Sequence, residues 1–249
     1  MRRATVAAWI VCLVMVACGS PGTQPTAITT PPTVPPVPAA IPSAPIIPSH
    51  FVHTIDNSWF PLSPGTTYVY KGQKDKKTAV ETIVVDSQTK VVFGVACVVV
   101  TDSMSLNGHL VERVTRWYAQ DVMGNVWYFG EADEQLDAAG RVVGNAGSWK
   151  AGLRGAYAGI VMAVIPQVGA KYYEEYWKGH VENQFEYTDL NATVTVQYGA
   201  FTNVVVIKES TRLEPGRITF RHFARGVGLV KVTTTDGSET LELAQVSPS

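Results

Sequence analysis

The chain has 249 residues, of which 46% are hydrophobic and 16% charged, with a formal net charge of −1. That length holds one large all-β domain or two small ones, either with a real core. The near-zero balance excludes a polycationic partner for nucleic acid and an acidic solvating tail.

Residues 1–17 have the build of a signal peptide. Arg2 and Arg3 supply the positive start, and Ala4 to Ala17 is an uncharged apolar run too short for an ordinary membrane span. The run ends Met15-Val16-Ala17-Cys18-Gly19, which resembles a bacterial lipobox. It predicts cleavage after Ala17 and acylation of Cys18 by chains such as palmitate; an ordinary signal peptide with a chance cysteine is the plainer alternative. Several acyl chains, each gaining about 0.8 kcal/mol per buried CH₂, hold a protein stably on a bilayer. The expected address is the extracytoplasmic face of a bacterial membrane, with that membrane as the first partner.

Residues 18–49 comprise this cysteine and a Pro/Thr-rich linker. Ten of the 15 prolines lie between Pro21 and Pro48, and no charged residue occurs from Gly19 to Ser49. Such a segment buries too little apolar surface to fold and favours extended, polyproline-like backbone. Cys12 leaves with the signal peptide and Cys18 takes the lipid, so Cys97 is the one remaining thiol. Its neighbours in Val95-Ala96-Cys97-Val98 mark it as a small hydrophobe of the core.

Residues 50–249 predict a single all-β domain. An entry segment around Trp59-Phe60-Pro61-Leu62 leads to a first strand over Thr67–Lys71. Strands are then expected near 77–86, 90–105, 109–120, 126–131, 171–178, 180–189, 192–199, 203–212, 217–224, 228–235 and 238–246. Asn107-Gly108, Asp236-Gly237 and Glu214-Pro215-Gly216 supply turn chemistry between them. No stretch sustains a 3.6-residue period, so the fold class is all-β, an antiparallel meander forming a curved sheet or barrel. Two β-units are discernible, at about 57–135 and 165–246. Arg113-Val114-Thr115 answers to Arg217-Ile218-Thr219, Arg116-Trp117-Tyr118-Ala119 to Arg221-His222-Phe223-Ala224, and Phe93-Gly94 to Tyr198-Gly199. This order of landmarks predicts an internal duplication; shared strand grammar is the plainer source of the same match.

The stretches SWFPLSPGTTYVYKG, RWYAQDVMGNVWYFGE, VQYGAFTNVVVIKE and FARGVGLVKV resemble an uncharacterised family of secreted actinobacterial lipoproteins, across most of residues 57–235. The resemblance implies an envelope location, and it carries no activity and no catalytic residues. Arg225 stands where the family pattern has a proline.

Several strands are apolar on both faces, as in Val126-Trp127-Tyr128-Phe129 and Val204-Val205-Val206-Ile207. Something must cover the second face: another sheet, the chain itself or a ligand. Residues 147–166, apolar without strand rhythm, are expected to pack over the sheet as a loop or short helix. If they fill the concave side only partly, an apolar pocket remains. Its candidate lining is Trp117, Trp127, Tyr128, Trp149, Tyr157, Ile160, Met162 and Trp177. Trp117, Trp127, Tyr128, Trp149, Tyr172, Tyr176 and Trp177 suit a sugar-stacking platform or, more plainly, a packed core.

His180, Glu182, Gln184 and Glu186 alternate along one expected strand, as metal ligands or as the solvated face of a half-buried strand. Glu131, Asp133, Glu134 and Asp137 form an acidic run expected at a hairpin tip. Arg113, Arg116, Arg217 and Arg221 suit either cross-strand ion pairs or an anionic site. No nucleophile elbow, zinc-protease motif, phosphate loop or Cys-x-x-Cys occurs. The expectation is therefore a non-enzymatic protein without cofactor or metal, binding an apolar or lipid-like ligand. The alternative is a structural or partner-binding surface protein that contacts cell-wall glycan or protein.

Overall fold

Alternating runs of β-branched and aromatic residues, cut by residues that tolerate positive φ, leave the chain little choice but hairpins. The computed structural model describes residues 45–248, so the signal peptide, Cys18 and most of the linker lie outside the described residues. A 3₁₀ turn, Pro48–His50, leads into β1 (Phe51–Val52). The first long strands are β2 (Thr67–Lys74), β3 (Lys77–Val92), β4 (Val95–Leu106), β5 (His109–Asp121) and β6 (Val126–Leu136). Short pieces follow: β7 (Val142–Gly144), β8 (Trp149–Lys150), β9 (Tyr157–Met162), β10 (Lys171–Tyr173) and β11 (Glu175–Tyr176). The chain ends with β12 (Asn183–Val196), β13 (Gly199–Thr211), β14 (Ile218–Ala224), β15 (Gly228–Thr234) and β16 (Glu239–Ser247).

These form one antiparallel, 16-stranded, barrel-like sheet, ordered β10-β12-β13-β14-β15-β16-β2-β3-β4-β5-β6-β9-β11. The last strand pairs with the first long one, β16 with β2 from Glu239↔Lys74 to Ser247↔Thr67. The two ends of the path meet in one stretch of chain: β10 pairs with β12, β11 pairs with β9, and Glu174 stands between them. The sheet is therefore nearly closed, and few strand edges are left bare. At this seam a Cβ on Gly159 would lie 2.0 Å from the Tyr173 carbonyl oxygen, so β9 and the closing stretch touch backbone to backbone.

Two boundaries differ from the sequence expectation, for one reason. Asp86–Lys90 looks like a turn but is an irregularity inside the β3–β4 ladder, between Val85 and Thr89. The real turn is Phe93-Gly94, both at positive φ (49° and 82°). In the same way the polar Asp189–Asn191 is a bulged part of β12, and the turn comes at Gln197-Tyr198. Bulges and turns share polar residues, so local composition does not separate them.

Residues 147–166 are a correction of a different kind. They are neither helix nor lid: β8 pairs with β6, and β9 is a wall strand between β6 and β11. Their apolar run lacks alternation because most of β9 is buried.

The chain itself covers the second face. Phe51 packs edge-on against Trp127 and Phe129, with centroids 6.0 and 5.3 Å away. Lys90 lies over the Trp117 ring at 4.5 Å. The tip of the β12–β13 hairpin reaches β16, where the Tyr198 N–H donates to the Leu243 carbonyl at 3.0 Å. Cys97 is fully buried, and burial pushes its thiol up to about 12, which suits packing and not reactivity.

Candidate functional site

Inside the barrel lies a cavity of about 580 Å³. Its floor is apolar and aromatic: the entry segment supplies Phe60 and Leu62, which meet Tyr68, Val100, Phe223 and Leu229. Phe60 packs on Tyr118 at 5.3 Å and on Phe223 at 6.0 Å. At the other end the lining includes Leu213, Glu214 and Arg217, all exposed, so the cavity reaches the surface there.

Between floor and mouth runs a belt of charged side chains. It contains Glu81 on β3, Asp102 on β4, Arg116 on β5, Glu131 on β6, Glu174 and Glu175 at the seam, Glu209 on β13 and Arg221 on β14. Strand alternation places them there. Three of the acids share the inward parity of apolar neighbours: Glu81 with Ile83, Asp102 with Val100 and Met104, Glu209 with Ile207.

The two guanidiniums are already engaged. Arg116 donates from Nη1 to Asp102 and lies 3.3 Å through Nε from Glu131, which also accepts from the Tyr128 hydroxyl. Arg221 Nε donates to Glu209 at 2.5 Å. Burial is the largest single influence and opposes the charge of both arginines. The surrounding groups together outweigh it, led by Asp102 at Arg116 and by Glu209 and then Glu174 at Arg221, and hold both above the usual guanidinium range.

The remaining acids have no cation. Among the described residues, Glu81, Glu174 and Glu175 take part in no ion pair. Burial, reinforced by the neighbouring Asp102, pushes the Glu81 carboxyl well up, and Asp102 Oδ1 is itself without a hydrogen-bond partner. Burial, with Glu209 next in weight, raises Glu174 to about 7. Burial and then Glu174 raise Glu175 well above the carboxylate range. Glu175 is 5% exposed; its Oε1 accepts from Asn183 at 2.7 Å, whereas its Oε2 has no partner. The Trp149 indole lies beside this carboxyl, yet its Nε1 is also without a partner. These acids hold protons first because they are buried, and then because the belt has more carboxylates than cations.

Of the eight pocket residues expected from sequence, Tyr128 lines this cavity. Trp149 stands behind it, edge-on to Tyr128 at 5.3 Å. Trp117 faces outward under Lys90, and Trp127 donates its indole N–H to Asp121 at 2.8 Å. Met162 is fully buried against the Tyr187 hydroxyl, Ile160 is half-buried, Tyr157 is exposed, and Trp177 stacks on His180 at 3.9 Å. The expected aromatic lining is thus mostly the packing of the wall.

The polar stripe at 180–186 is broken. β12 begins only at Asn183, His180 lies in the preceding turn, Glu182 is bound to Arg212, and Glu186 pairs with Lys171 at 3.1 Å. The acidic run is also rearranged. Glu131, Asp133 and Glu134 belong to β6, with Glu131 in the belt, and only Asp137 serves the turn beyond, through Arg141. Arg113 and Arg217 form outer ion pairs with Glu134 and Glu214 at 3.1 and 3.2 Å.

No family model and no curated protein matches the chain. Among solved structures it is similar to a provisionally named lipoprotein of Parabacteroides distasonis, at 14% identity and TM-score 0.39, over 76% of this chain and 98% of that one. It is similar at 13% identity and the same TM-score, 0.39, to a provisionally named exported protein with a YmcC-like fold from Bacteroides fragilis, again over 76% of this chain and 98% of that one. Likeness of this degree carries no conclusion about activity or ligand.

Proposed function

We propose that the chain is a lipid-anchored extracytoplasmic lipoprotein whose barrel binds a small amphiphile without chemically changing it. The cavity is the observation that carries this reading. Its volume of about 580 Å³ falls within the roughly 300–1,000 Å³ of pockets that hold a small molecule. The aromatic floor suits an apolar moiety, and the charged belt above it suits a polar head. The signal peptide, Cys18 and the linker, read from sequence, supply the address and the reach. The entry segment seals the floor, so exchange takes place at the mouth beside Leu213 and Arg217.

The test is to express the full chain with its signal peptide, purify it from membranes, and extract it into organic solvent for mass spectrometry. An amphiphile at near-stoichiometric level, reduced in a variant carrying Phe223→Trp to fill the floor, is the expected result. A folded protein that yields no such molecule, and takes up none of a panel of simple amphiphiles, contradicts the proposal.

A further inference from the structure

The belt is unbalanced in one place. Of the nine carboxylates that line the cavity, Glu239 pairs with Lys74, Glu214 pairs with Arg217 and Glu112 lies near Lys74; the other six (Glu81, Asp102, Glu131, Glu174, Glu175 and Glu209) face two guanidiniums. Arg116 takes Asp102 and Glu131, and Arg221 takes Glu209. Glu81 lies beside Asp102, on the wall that Arg116 already serves. What remains is the pair at the seam, Glu174 and Glu175, with Glu175 Oε2 unpartnered, its side chain more than nine-tenths buried and lining the cavity. A buried carboxylate without a partner is costly, and a ligand that supplies one relieves that cost.

Resting on the amphiphile reading above, we propose that Glu174 and Glu175 form the headgroup subsite and that the headgroup is an organic cation, an amine or ammonium. An anionic head would meet arginines already neutralised, together with surplus carboxylates. A metal ion is a poor fit, because among the described residues no three carboxylate, imidazole or thiol groups converge closely enough to hold one. An ammonium group spans a wider site and uses the carboxylates as direct hydrogen-bond acceptors.

Charge balance sets the pH dependence. The groups that face the pair are Glu131 and Tyr128 from β6, Glu209 from β13, Arg221 from β14, and Arg116 and Tyr118 from β5; Trp149 and Asn183 beside it are neutral. Without ligand, the seam acids hold protons into the neutral range. An entering ammonium displaces them, so cation binding releases protons and strengthens as pH rises. A neutral head that accepts hydrogen bonds from the protonated acids releases none.

Calorimetry with three matched probes tests this: n-octylamine, n-octanol and n-octanoate, on the chain from position 18 onward carrying Cys18→Ser and kept free of detergent. The expected result is that n-octylamine binds about tenfold more tightly than n-octanol near pH 8, with the advantage shrinking near pH 5.5. The double variant Glu174→Gln, Glu175→Gln abolishes the advantage and leaves n-octanol unchanged. Glutamine keeps the shape without the buried charge, and the pH dependence of the unsubstituted chain is an independent readout should the variant fold poorly. Binding of n-octanol or n-octanoate as tight as that of n-octylamine near pH 8 overturns the cation subsite but leaves the amphiphile cavity standing. Failure of all three probes to bind overturns both.

Discussion

Arg116 and Arg221 stand on opposite walls of the barrel, with β6, β9, the closing stretch, β12 and β13 between them one way and β4, β3, β2, β16 and β15 the other. Arg116 is held by two carboxylates, and a third acid, Glu81, leans on one of those. Arg221 is held by Glu209 alone. The Arg116 wall is thus a network in which both ionised acids share one guanidinium, with Asp102 Oδ1 the one oxygen left over. The Arg221 wall adjoins Glu174 and Glu175, which are not answered. The first arrangement is what a fold uses to keep buried charge tolerable; the second leaves capacity for a ligand.

Breaking the Arg116 network has the largest expected effect. Arg116→Met strands Asp102 and Glu131 inside the barrel, and loss of one partner from a buried pair costs about 3–5 kcal/mol. Chemical denaturation should show this as a large fall in midpoint. Arg221→Met, with a single partner and a more open side chain, should cost less, roughly 1–3 kcal/mol. Equal losses at the two sites would erase the distinction drawn between the walls. Closure of the barrel is tested by Gly159→Ala, whose added methyl would meet the Tyr173 carbonyl at 2.0 Å. Overpacking of this sort costs about 1–3 kcal/mol, and an unchanged midpoint would show that the seam is looser than described.

The pH dependence of stability follows from the unanswered wall. Glu174 titrates in the folded state at about 7 and unfolded near about 4.3. Between these values the folded state binds more protons than the unfolded chain. Stability is therefore highest in mild acid and falls as pH rises through that window, by at most about 1.4 kcal/mol per pH unit for each proton retained. Glu174→Gln should flatten this slope, and a slope left as steep as before would assign it to other groups. The smallest effect is expected at Arg113, three residues from Arg116. Its pair with Glu134 is exposed on both sides (46% and 42%), so Arg113→Ala should change stability by about 0.5 kcal/mol or less.

Much of the fold was legible in the sequence. Asn107-Gly108 and the alternation of residues 109–120 and 126–131 announce hairpins, and the structure has them. The long hairpins were cut in the wrong places because their bulges at Asp86–Lys90 and Asp189–Asn191 carry residues that also make turns. The true turn at Phe93-Gly94 lacks the usual Asn or Asp in first place. β9 was missed because a wall strand buried on most positions has no period to detect.

The site was less legible. Aromatics drew attention as a lining, yet most of them pack the wall, since rings are what sheets bury most readily. The belt's acids are scattered over four strands and the seam, and no spacing links them. A signal was nevertheless present: a carboxylate at the parity of apolar neighbours, as in Glu81-Thr82-Ile83 and Val100-Thr101-Asp102-Ser103-Met104, is an acid aimed at the core. Which of those acids end without a cation depends on closure at Glu174, and that is a property of the three-dimensional fold.

The most direct test of the account is infrared difference spectroscopy of the protein near pH 7, with n-octylamine added to the unliganded form. The account predicts loss of carboxylic-acid C=O absorption and gain of carboxylate absorption, both absent from the Glu174→Gln, Glu175→Gln variant. Binding of the amine with no change in carboxyl protonation, or with the same change in that variant, would contradict it.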